Sequence, residues 1–106
     1  MIEHLKAQGY TIDQENRGRS HGVDILATKD GRKLYVEIKG DSAALDVDFG
    51  TLLFQIMRCM MAESTDEFAI CISEKYTDYA RQCVYSINKL GIDVFVISES
   101  GVKRLL

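Results

Sequence analysis

A chain of 106 residues, 46% hydrophobic and 27% charged, has the composition of one folded globular domain and leaves no room for a separate motor or specificity domain. No apolar run reaches the roughly 20 residues that span a bilayer, and Met1-Ile2-Glu3-His4 lacks the basic-then-apolar layout of a secretory signal, so a cytoplasmic protein without membrane contact is expected. A formal net charge of -3 argues against a high-affinity, sequence-independent nucleic-acid coat, whose strength comes from lysines and arginines that displace counterions.

Residues 2–8 read as a short helix stopped by Gly9, and Tyr10-Thr11-Ile12 begins a strand. Gly22 to Thr28 and Arg32 to Lys39 are strand-like runs around Lys29-Asp30-Gly31, and Asp-Gly between such runs is a strong hairpin signal. Phe49, Leu52, Leu53, Ile56, Met57 and Met60 recur at helical spacing and predict a helix over Val47 to Glu63 that packs on a sheet. Glu67 to Ser73 is an apolar strand. Tyr76, Tyr79, Cys83, Ile87 and Leu90 then stripe one helix that stops at Gly91, and Ile92 to Ile97 follows as a continuous apolar strand. Two such strands joined by a helix predict a parallel crossover with both sheet faces covered. The expected architecture is α/β, a mixed central sheet flanked by helices in the order helix, three strands, helix, strand, helix, strand. Cys59, Cys71 and Cys83 are odd in number, lack CxxC spacing and sit in apolar segments, so they read as reduced core thiols.

Chemistry concentrates on the third strand. Leu34, Val36 and Ile38 point one way, and Tyr35, Glu37 and Lys39 the other. If Asp30-Gly31 is a two-residue turn, the hairpin register sets Thr28 against Lys33, Leu26 against Tyr35 and Asp24 against Glu37, the last as a non-hydrogen-bonded pair with Cα atoms about 4.5 Å apart. A three-residue turn would shift this register and part the carboxylates. Like charges directly opposed destabilise a hairpin unless a cation intervenes or one acid holds a proton. Oxygen-only ligation with room for water and phosphate suits Mg²⁺ or Mn²⁺. Lys39 is a point charge suited to the attacking water and to a developing oxyanion.

Gly22-Val23-Asp24-Ile25-Leu26-Ala27, the hairpin, and Tyr35-Val36-Glu37-Ile38-Lys39-Gly40 together resemble the core motif of the PD-(D/E)XK restriction-endonuclease-like nucleases, nearest the Holliday junction resolvase and type IV restriction endonuclease branches. The resemblance covers most of the chain. It implies a restriction-endonuclease-like fold in which Asp24 and Glu37 bind the catalytic metal, the main-chain carbonyl of Ile38 adds a ligand, and Lys39 serves the water. Val23 stands where the family's naming proline would be. The further acid that many members carry on the first helix could only be Glu3, which is either that ligand or a solvated helix residue.

Gln55 lies about 130° from the centre of its helix's apolar stripe, where the resemblance implies a polar residue flanking the catalytic centre; the alternative is a surface position. The basic loop Asn16 to Gly22 offers Arg17, Arg19, Ser20 and His21 as a grip on a phosphate backbone, or is simply solvated. His4 and His21 show no zinc-ligand spacing, and there is no glycine-rich nucleotide loop. The expected activity is metal-dependent endonucleolytic hydrolysis of nucleic acid, with DNA the expected substrate and one or two metals left open. The rival is a nuclease-like module that binds nucleic acid or a protein without cutting. A homodimer is expected on need, because so small a nuclease addresses two strands only by pairing its centres.

Overall fold

The computed structural model describes residues 1–16, 23–40, 43–60 and 66–105. Helix α1 (Ile2–Ala7) precedes strands β1 (Thr11–Glu15), β2 (Ile25–Lys29) and β3 (Arg32–Lys39); helix α2 (Leu45–Cys59) leads to β4 (Glu67–Ser73); a 3-10 turn (Glu74–Tyr76) and helices α3 (Thr77–Gln82) and α4 (Val84–Leu90) lead to β5 (Ile92–Ser98) and β6 (Gly101–Arg104). The strands form one sheet in sequence order. Pairing is parallel between β3, β4 and β5, and antiparallel elsewhere. This is the expected mixed, helix-flanked α/β sheet.

The hairpin forms as its turn chemistry dictates. Asp30 and Gly31 take φ of 54° and 78°, the double left-handed conformation of a type I′ turn that matches strand twist. The ladder that follows pairs Thr28 with Lys33, Leu26 with Tyr35 and Ile25 with Val36. Gly9 and Gly91 end α1 and α4 with φ of 94° and 75°, a left-handed geometry open to glycine at little cost.

Alternation divides the core in two. Phe68, Ile70 and Ile72 of β4 pack with Ile92 and Val94 of β5 under α2, α3 and α4. On the opposite face Leu34, Val36, Ala69, Cys71 and Phe95 pack with Leu5 of α1. The central parallel strands are covered on both sides, which is why they read as nearly unbroken apolar runs.

Three features depart from expectation. The helix expected through residue 90 breaks at Cys83 (φ -107°, ψ 9°) into α3 and α4. A short sixth strand closes the sheet edge, held by an Arg104–Asp93 ion pair of 2.6 Å. Met57, assigned from the sequence to the packed face of α2, is exposed, whereas Phe49, Leu52 and Ile56 carry that burial. The expected end of α2 at Glu63 falls outside the described residues.

Candidate active site

The site begins where the β2–β3 ladder stops. Ile25 and Val36 are the last partners of its register on the β2 side; one residue beyond, Asp24 bends out of the strand, and its Oδ2 accepts the Ile38 N–H at 2.8 Å. The side chain thus takes the backbone donor that a longer β2 would have satisfied. Within a strand, a residue's N–H and C=O point to the same edge, so the Ile38 carbonyl lies on the Asp24 side too. Asn16 at the end of β1 clamps this bend twice: its N–H donates to the Asp24 carbonyl and its Nδ2 to the Val23 carbonyl, both at 2.8 Å. Sequence reasoning placed Asn16 in the basic loop and missed this clamp, because its signal is a β1–β2 register that contains an irregularity between Ile12 and Gln14.

Glu37 is the one buried charged side chain among the described residues, 6% exposed. Burial pushes its carboxyl up to about 7; the Asp24 charge and a hydrogen bond to the Asp24 side chain act in the same direction, against a weaker opposing pull from Arg58. The two acids expected to meet are therefore in contact, in surroundings that favour a protonated Glu37. Two carboxylates in contact and a carbonyl on the same edge form an oxygen-only donor set, which fits a hard divalent cation in place of that proton.

Lys39 extends from the same face as Glu37, and its Nζ is 4.0 Å from Oδ2 of Asp48 in the first turn of α2. No sequence signal singled out Asp48. Tyr76, fully buried, donates its hydroxyl to the Gly40 carbonyl at 3.0 Å and pins the end of β3. Asp48, Gln55 and Cys59 are seven and four residues apart on α2, one side of a helix. Asp48 meets Lys39, and the Cys59 thiol is raised by burial and then by the Glu37 charge, so half-buried Gln55 lies on the side of α2 that runs along β3. Arg58 is the cation whose charge reaches Glu37, and it too escaped the sequence reading.

Glu3 and Asp24 line a common cavity of about 470 Å³ with Glu15, Asn16 and Ile38. Among the described residues, no three His, Cys, Asp or Glu side chains come together as a ligand set, so Glu3 borders the acidic pair without joining it. Arg17, Arg19, Ser20 and His21 lie outside the described residues.

A family model described as restriction endonuclease, Mrr_cat, matches residues 1–104. The chain belongs to this family. Two solved structures share this chain's fold. An XisH family protein from Nostoc punctiforme is 16% identical with a TM-score of 0.65, covering 96% of this chain and 92% of that one. An fdxN element excision controlling factor protein from Anabaena variabilis is 19% identical with the same TM-score and the same coverage. At such identity the likeness shows the fold alone. No curated protein matches the sequence. No helix among the described residues is long and apolar enough to cross a membrane.

Proposed function

We propose that residues 1–106 form one nuclease domain that hydrolyses phosphodiester bonds, with DNA as substrate and Mg²⁺ or Mn²⁺ as cofactor. The observation that carries this reading is the buried Glu37 carboxyl held against Asp24 at the end of β3. Asp24 and Glu37, with the Ile38 carbonyl, would hold the cation. Bound there, a divalent ion supplies Lewis-acid stabilisation of the scissile phosphate and a more acidic water. Lys39 orients the attacking water and offsets charge on the phosphate oxygens, and Asp48 steadies its ammonium group. Gln55 flanks this centre, and Arg17, Arg19, Ser20 and His21 grip the backbone on either side of the cut.

The rival, a nuclease-like module that does not cut, draws support from the Lys39–Asp48 pairing and from the excision-control description of one structural neighbour. Incubation with single-stranded, double-stranded and branched DNA and with RNA, under Mg²⁺, Mn²⁺ or chelator, separates the two. The nuclease reading expects metal-dependent cleavage that Glu37→Ala and Lys39→Ala abolish. Binding without cleavage under every metal would establish the module instead.

A further inference from the structure

Helix α2 carries a second apolar stripe that no other element among the described residues covers, the Phe54 ring being capped only by Arg58 of the same helix, 5.2 Å from its centroid. Val47, Gly50, Phe54 and Met57 fall at the three- and four-residue steps of one helix face. Val47 is 63% exposed, Phe54 62% and Met57 45%. Gly50 is the informative member. Glycine in a helix interior is unfavourable relative to alanine, its φ is not among the positive values, and a Cβ built there meets no atom within 4 Å. Nothing among the described residues calls for glycine at this position, whereas close approach by another backbone or a large side chain would.

We propose that α2 is the two-fold interface of a homodimer, packed antiparallel against α2 of a second copy. In a two-fold pair, residue i faces j and j faces i. Centring the pair at Leu52 sets Val47 opposite Met57 and Gly50 opposite Phe54, so each phenylalanine ring enters the space over the other helix's glycine. Parallel pairing would instead set Phe54 on Phe54 and Gly50 on Gly50, a collision beside a void. The ends agree with the antiparallel choice. Of the first-turn acids of α2, Asp46 borders the stripe, and the last turn carries Arg58, so each acidic end comes beside the other helix's basic end with the helix dipoles opposed. The stripe is about 130° around the helix from Asp48 and Gln55, which leaves both catalytic centres open. A 15-residue helix is about 22 Å long and makes a small interface, so the dimer is weak, with a dissociation constant roughly in the micromolar range. This interface stands whether or not the chain cuts nucleic acid.

Sedimentation velocity from 1 µM to 500 µM tests it. The wild-type chain is expected to pass from monomer to dimer, and Phe54→Ser and Gly50→Leu each to weaken the dimer at least tenfold while circular dichroism stays native. Gly50→Leu removes a helix-interior glycine, so loss of dimer in that variant reports the interface and not unfolding. Mild oxidation of a mixture of Val47→Cys and Met57→Cys chains is expected to give a cross-linked pair that neither chain forms alone. A wild-type chain that stays monomeric throughout, a dimer indifferent to both packing variants, or cross-linking by Val47→Cys alone would overturn the proposal.

Discussion

Glu37 gives the acidic pair a thermodynamic signature. Its carboxyl titrates near 7 in the folded chain against an ordinary value of 4.5. Below about pH 4.5 both folded and unfolded chains hold the proton, and Glu37 costs nothing. As pH rises towards 7 the unfolded chain releases its proton first, so stability falls across this window and levels off above it. The full cost is about 3 kcal/mol, at 1.36 kcal/mol per pH unit of displacement. Glu37→Gln, which mimics the protonated acid, should remove this slope. In chelator, urea denaturation is expected to find the variant more stable than wild type by up to about 3 kcal/mol at pH 8 and nearly equal at pH 4.5; parallel stability curves would refute the assignment. Asp48 makes a different prediction. Its pairing with Lys39 is part-exposed and contributes less than about 1 kcal/mol to stability, but it orients the ammonium group. Asp48→Ala should change urea stability by under about 0.5 kcal/mol and lower the cleavage rate by roughly tenfold to a hundredfold.

At the scale of elements, the β2–β3 hairpin sets the acid pair, because its turn fixes which residues oppose each other. Gly31 sits at φ 78°, where a β-branched side chain costs about 1–2 kcal/mol. Gly31→Val should lose about that much stability by denaturation and reduce cleavage further than the stability loss explains, since a one-residue slip separates Asp24 from Glu37. Gly31→Asn, which tolerates this backbone, should keep both. The hairpin was legible in the sequence because Asp-Gly specifies its turn and alternation specifies its faces. The break at Cys83 was not: Tyr76, Tyr79, Cys83 and Ile87 keep helical spacing across it, and neither glycine nor proline marks it. Strand β6 escaped because Val102 is its one apolar residue in four. Asp48 and Arg58 escaped because their part in the site depends on how α2 lies along β3, a tertiary relation that periodicity does not carry.

Over the whole molecule, the buried parallel strands β3 and β4 and their covering helices hold Glu37 away from water, and that burial is the largest cause of its raised carboxyl. On the proposed function, this centre takes a proton or a divalent cation in competition, and occupancy by the cation should be felt as global stability. With 10 mM Mg²⁺ or Mn²⁺ and a dissociation constant near 1 mM, the folded chain gains about 1.4 kcal/mol. The sign with pH follows from the competition: at pH 8 Glu37 is ionised and the gain should be full, whereas at pH 5.5 its proton must first be displaced and the gain should shrink. Denaturant titrations at the two pH values, with and without the cation, measure both terms. Glu37→Gln should show little gain at either pH. Equal stabilisation at both, or an unchanged gain in the variant, would mean that the cation binds elsewhere and that the acid pair is a buried structural contact.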